Sequence, residues 1–110
     1  MDKSYVLIDN DKLIRMSWEL SAKKENVNLS TFSCVDDFLK KSEEFIHDSI
    51  IYIDHELDNN LFGTIEAKKI FDLGFYDIYL ATGHSPSEIN LPSYFKGICG
   101  KRPPFNITNS

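Results

Sequence analysis

The sequence predicts an α/β fold with one parallel sheet, and three observations carry that prediction. Short apolar runs alternate along the chain with amphipathic stretches of helical spacing, the pattern of strands joined by crossover helices. One of those runs, Ser49-Ile50-Ile51-Tyr52-Ile53-Asp54, is too short for a helix and almost wholly apolar, as a strand buried on both faces must be. It stops abruptly in an acid, and so does the first run, Ser4-Tyr5-Val6-Leu7-Ile8, which leads into Asp9-Asn10-Asp11. In open parallel sheets the carboxyl ends of the strands share one edge, and ligands bind there.

Each element follows in order. After the strand at 4–8, Lys12 to Glu25 places apolar residues at 14-18-22 and 13-16-20, the stripes of an amphipathic helix, with Asp11 able to serve as its N-cap. Val27 to Phe32 alternates Val27, Leu29 and Thr31 on one face, as an edge strand does. Ser33-Cys34-Val35-Asp36 has the form of a capping box and predicts a helix to about Ile46, with Val35, Phe38, Leu39, Phe45 and Ile46 as its apolar stripe. The strand at 50–54 is followed by a loop from His55 to Phe62 and a helix from about Thr64 to Leu73, which Gly74 ends.

Tyr76 to Ala81 is the fourth strand, leading into Thr82-Gly83-His84. Ser85 to Phe95 contains Pro86 and Pro92 without helical periodicity, so it reads as a loop with at most one short turn. Gly97-Ile98-Cys99 is a short fifth strand ending in Gly100-Lys101, and Arg102-Pro103-Pro104-Phe105 breaks any continuation. Right-handed crossovers then give a flavodoxin-like five-stranded parallel sheet of order 2-1-3-4-5, with reduced helices at its C-terminal end.

Composition sets the outer limits. A chain of 110 residues is one domain, 1–110, large enough for a core without disulfide or metal staples. A net charge of -5 and no Lys/Arg-rich face exclude a general nucleic-acid binder. Cys34 and Cys99 lack metal-ligand spacing and read as buried or incidental thiols of a reducing compartment. With no apolar leader and no membrane-length run, the expectation is a cytoplasmic protein, in which the Asn106-Ile107-Thr108 glycosylation match carries no meaning.

Four strands therefore deliver polar chemistry to one edge: Asp9 and its neighbours, Asp54, Thr82 and Lys101. Carboxylates placed together repel unless a cation lies between them, and an oxygen-only ligand set suits Mg²⁺. A lysine and a hydroxyl beside them fit a phosphoryl group on Asp54, its charge met by Mg²⁺, Lys101 and Thr82. The histidines His47, His55 and His84 have no metal-ligand spacing, so an independent hydrolase is disfavoured and surface histidines are the plainer account.

These residues give the chain a resemblance to the receiver domain of two-component response regulators over residues 4 to 105. The matching positions are Asp9-Asn10 after the first strand, Asp54 after the third, Thr82 after the fourth and Lys101 after the fifth. The run Gly63-x-x-Glu66-x-x-Lys69-Ile70 also looks like the start of a receiver's third helix. The resemblance implies that Asp54 accepts a phosphoryl group from a histidine kinase or phosphotransfer protein. It implies Mg²⁺ held by Asp9, Asn10, Asp54 and the Glu56 backbone carbonyl, with Asp11 a lesser candidate because helix capping competes for it. Thr82 and Lys101 would contact the phosphoryl oxygens, and no independent substrate turnover is expected.

The chain also departs from the family pattern. Asn10 replaces the second acid and removes a charge, so weaker Mg²⁺ binding is expected. The loop from Asp54 to Gly63 is one residue longer than usual, Arg102 separates Lys101 from Pro103, and Ile98 stands where many receivers carry an aromatic switch residue. A full fourth helix and a fifth are lacking. An uncovered sheet face on that side would expose apolar area and predicts association there, with a second copy or with a kinase. The alternative reading is a receiver-fold interaction module that works without phosphorylation.

Overall fold

The computed structural model describes residues 3–105, so the Asn106-Ile107-Thr108 match lies outside the described residues. The elements are β1 (Ser4–Ile8), α1 (Lys12–Lys24), β2 (Asn28–Phe32), α2 (Val35–Lys40), β3 (Ile50–Asp54), α3 (Gly63–Phe71), β4 (Ile78–Ala81) and β5 (Gly97–Cys99). Single 3₁₀ turns occupy Ser42–Glu44 and Pro86–Glu88. All five strands are parallel in the order β2-β1-β3-β4-β5, the flavodoxin-like order that the alternation predicts.

Strand alternation divides the core in two. Val6, Ile8, Ile51, Ile53, Ile78 and Leu80 face α2 and α3, where Val35, Phe38, Ala67 and Ile70 meet them. Leu7, Tyr52 and Ala81 face the other way, against Trp18 and Ala22 of α1 and Phe105. Each large side chain buried in this way contributes roughly 1.5–3 kcal/mol. The central strand β3 is therefore buried on both faces, which its unbroken apolar run requires.

Three expectations change. The second helix is short: α2 ends at Lys40, because the Lys41 amide bonds back to the Phe38 carbonyl (2.9 Å) and the Ser42 hydroxyl donates to the Leu39 carbonyl (3.0 Å). A 3₁₀ turn takes over, and Ile46, expected in the core, is exposed. The capping box does not form either. Cys34 is the N-cap and makes no side-chain bond, leaving Asp36 and Asp37 to favour the first turn through the helix dipole.

The third correction concerns the sheet face expected to lie bare. Ile89, Leu91, Tyr94 and Phe95 of the irregular segment after β4 pack onto the α3 side of the core, in the place of a helix. Tyr94 donates its hydroxyl to the Thr64 carbonyl and lies against Phe71 and Phe95. On the opposite side Phe105 packs edge-on against Tyr5 and Trp18. The exposed large apolar residues are instead on α1 (Leu13, Met16, Leu20) and around the start of α3 (Leu61, Phe62, Ile65), with Ile46, Leu73 and Tyr76 scattered singly.

Candidate functional site

Sheet register brings the polar residues to one edge. Ile8 pairs with Ile53, Asp54 with Ala81, and Ala81 with Cys99. Asp9 follows β1 directly, Asp54 closes β3, Thr82 follows β4, and Lys101 lies two residues past β5. All four line one open cleft of about 710 Å³, with Asn10, Asp11 and Glu56 also on its wall.

The centre of the cleft is a charge bridge. The Lys101 ammonium lies 2.6 Å from Asp9 Oδ2 and 2.5 Å from Asp54 Oδ1, so two carboxylates from different strands share one cation. Asp9 is fully buried, and its other oxygen accepts from the Asp11 amide at 2.9 Å. Its backbone carbonyl accepts from the Arg15 guanidinium at 2.7 Å, which ties the loop to α1. Burial holds the Asp54 carboxyl above its ordinary range, and nearby Asp9 adds to that, against the lowering effect of the Lys101 bond. Burial alone would lower the Lys101 ammonium, but its bonds to Asp54 and Asp9 outweigh it and leave the group above its ordinary range.

The neighbouring chain is built to hold these positions. A Cβ on Gly63 would lie 1.9 Å from the Asp54 carbonyl oxygen, so only glycine lets α3 start this close to the end of β3. The longer loop before it closes with a tight turn at Asn59 and Asn60, whose φ angles are 63° and 60°. Asparagine tolerates this left-handed conformation. The loop then pairs Glu56 with Phe62 through bonds from Gly63 N to the His55 carbonyl (2.7 Å) and from Leu57 N to the Leu61 carbonyl (2.9 Å). Those bonds leave the Glu56 carbonyl out of the pairing.

The remaining candidates are placed as follows. The Thr82 hydroxyl accepts from the His84 amide at 3.1 Å, and the Thr82 amide donates to the Cys99 carbonyl at 2.9 Å. The Asn10 side-chain amide donates to Asp58 Oδ1 at 2.8 Å and is engaged by the β3–α3 loop. Asp11 caps α1 through the Leu13 amide at 2.9 Å. His84 stands between Glu56 and Glu88, 3.8 Å from each, and its ring meets His55 edge-on. His47 lies far from the cleft, against Phe75.

Sequence reasoning missed two residues that hold the site. Arg15 carries no signal of its own in the sequence, and Trp18 reads only as part of the 14-18-22 stripe. The Trp18 indole nitrogen donates to the Lys101 carbonyl at 2.8 Å, across 83 residues of chain. The available signal was chemical: an indole N–H on a buried stripe requires an acceptor.

The donor set fits a hard divalent cation. It comprises two carboxylates sharing a single ammonium and a backbone carbonyl outside any ladder bond, all oxygen. Among the described residues no group of three or more His, Cys, Asp or Glu side chains is placed to hold a metal. A cation here would rest on Asp9, Asp54 and the Glu56 carbonyl and keep several waters, as Mg²⁺ commonly does.

No protein-family model and no curated protein matches the chain. Among solved structures it is similar to the response regulator StyR, with a TM-score of 0.71 over 99% of this chain at 15% sequence identity. The chain spans 55% of that regulator's length. No helix among the described residues is long and apolar enough to cross a membrane. The strand order, the parallel sheet and this likeness together establish a flavodoxin-like, receiver-like fold.

Proposed function

We propose that the chain is a phosphoacceptor receiver domain of two-component phosphorelay signalling, phosphorylated on Asp54. The observation that carries this reading is the Lys101 ammonium bridging Asp9 and Asp54 beside the Thr82 hydroxyl. A carboxylate oxygen of Asp54 attacks the phosphorus of a phosphohistidine on a histidine kinase or phosphotransfer protein. The P–N bond breaks, the electron pair returns to the imidazole nitrogen, and that nitrogen takes a proton.

The new acyl phosphate places negative charge where Lys101 and Thr82 can meet it. Lys101 exchanges its bond to Asp54 for one to a phosphoryl oxygen, and the Thr82 hydroxyl donates to another. Asp9, Asp54 and the Glu56 carbonyl would hold Mg²⁺, which when bound would supply further charge neutralisation. Asn10 and Asp11 are less suited to hold it, since Asp58 and the α1 cap engage them. The domain accepts one phosphoryl group and loses it by hydrolysis or transfer, without turnover of a separate substrate. A cytoplasmic location accords with a kinase partner of this class.

The test is intact mass after incubation with Mg²⁺ and acetyl phosphate, beside an Asp54→Ala variant. One phosphoryl adduct on the native chain, absent from the variant, is the expected result. Absence of both adduct and Mg²⁺ binding would leave the second reading, a docking module independent of phosphorylation. The engaged Asn10 and the exposed apolar stripe Leu13, Met16 and Leu20 on α1 favour that alternative.

A further inference from the structure

We infer that Trp18 is a positioning residue for Lys101, fixing the backbone from which the ammonium reaches Asp9 and Asp54. The inference rests on the phosphoacceptor reading for its kinetic consequence and on geometry for its substance. β5 is three residues long and ends at Cys99. Lys101 and Arg102 lie in bends beyond it, with no helix to hold them among the described residues. The Lys101 side chain is anchored at its tip by two carboxylates, and the proposed chemistry requires it to exchange the Asp54 bond.

What stays fixed is the carbonyl. Trp18 is completely buried, wedged edge-on between Tyr52 at 5.1 Å and Phe105 at 5.7 Å, so its indole cannot swing. Its nitrogen donates to the Lys101 carbonyl at 2.8 Å. Among the described residues that buried donor has this single acceptor, and losing it would leave the N–H unsatisfied. The bond therefore defines where the lysine stem begins, whichever oxygen the ammonium holds. It also makes α1 and the Lys101 bend one mechanical unit, because α1 carries Arg15 on the Asp9 carbonyl as well.

The test is a double-mutant cycle. Trp18→Phe keeps an aromatic ring against Tyr52 and Phe105 and removes only the donor and the second ring. Its rate of Asp54 phosphorylation by acetyl phosphate is expected to fall about tenfold, within the cost of a small misplacement of a reacting group. In a Lys101→Met background the same substitution should change the rate little, because Trp18 acts through the ammonium. An equal fall in both backgrounds, or no fall in either, would overturn the inference.

The four proteins are also compared by urea unfolding without Mg²⁺ or phosphodonor. Non-additive midpoints support the inference, and additive midpoints refute it. That readout stands even if the native chain takes no phosphoryl group, an outcome that would sink the phosphoacceptor reading alone. Trp18 is the sole tryptophan, so the native chain offers a check free of substitution. Where Mg²⁺ with beryllofluoride binds, Trp18 emission should shift; binding without any shift counts against the inference.

Discussion

The two ends of the sheet are built differently. From β1 to α3, strands of five residues are covered by α1, α2 and α3, and the core forms by packing helix faces on alternating strand residues. From β4 onward the strands have four and three residues, and the cover is a 3₁₀ turn, a few aromatic rings and individual hydrogen bonds. Both ends nevertheless deliver residues to the same cleft: the acids come from the heavier end, the hydroxyl and the cation from the lighter one. A parallel register places strand ends whether or not a helix follows. Holding the chain still is a separate task, and here hydrogen bonds between the two ends do it: the Trp18 indole donates to the Lys101 carbonyl, and the Tyr94 hydroxyl donates to the Thr64 carbonyl of α3.

The largest expected effect tests the heavier end. Gly63→Ala forces a Cβ into the Asp54 carbonyl and should cost about 4 kcal/mol or more, because backbone on backbone cannot relax as a side chain does. Urea unfolding measures it, and a cost below about 1 kcal/mol would mean the α3 start is looser than the geometry requires. At the lighter end, Phe105→Ala should cost about 3 kcal/mol, the lower range for a buried aromatic, and should slow phosphorylation through Trp18. A stability loss with an unaltered phosphorylation rate would show that the two ends communicate less than the ring contacts imply.

The smallest effect has the opposite sign. Asp54→Asn should raise the melting temperature at neutral pH in metal-free buffer. A carboxyl held above its ordinary 3.8 binds its proton more tightly in the folded state, so its contribution favours folding below that value and is lost as pH rises through the folded value. The variant's advantage should therefore be absent near pH 3 and grow as pH rises above about 4. A melting temperature lowered at neutral pH would mean that the Lys101 bridge outweighs burial.

Strands were legible because burial on both faces leaves an unmistakable composition, as at 50–54, and because acids after such runs mark the carboxyl edge. Asp9, Asp54, Thr82 and Lys101 therefore came together without surprise. The length of α2 was not legible, since Phe45 continues the apolar stripe while Ser42 and the Lys41 amide close the helix locally. Apolar composition likewise did not distinguish the two stripes of α1: 14-18-22 packs on the sheet, while 13-16-20 faces outward. Proline broke the helical pattern after β4 but did not say that Ile89, Leu91, Tyr94 and Phe95 would still cover the core. Asn10 kept an oxygen, yet its amide nitrogen found Asp58, a partner only the folded loop supplies.

The charge bridge also bears on the order in which the molecule assembles. Lys101 lies 92 residues from Asp9 and 47 from Asp54. A chain emerging N-terminus first presents both carboxylates long before their shared ammonium. Until then, docking β3 against β1 brings Asp54 toward a buried Asp9 with nothing between them but water. The lysine two residues past the three-residue edge strand thus removes the repulsion that resists closure of the sheet's centre. Folding of this chain should be governed by its longest-range strand pairing, β1 with β3 (Tyr5 with Ile50), with the more local β4–β5 pairing supplying the lysine that relieves it.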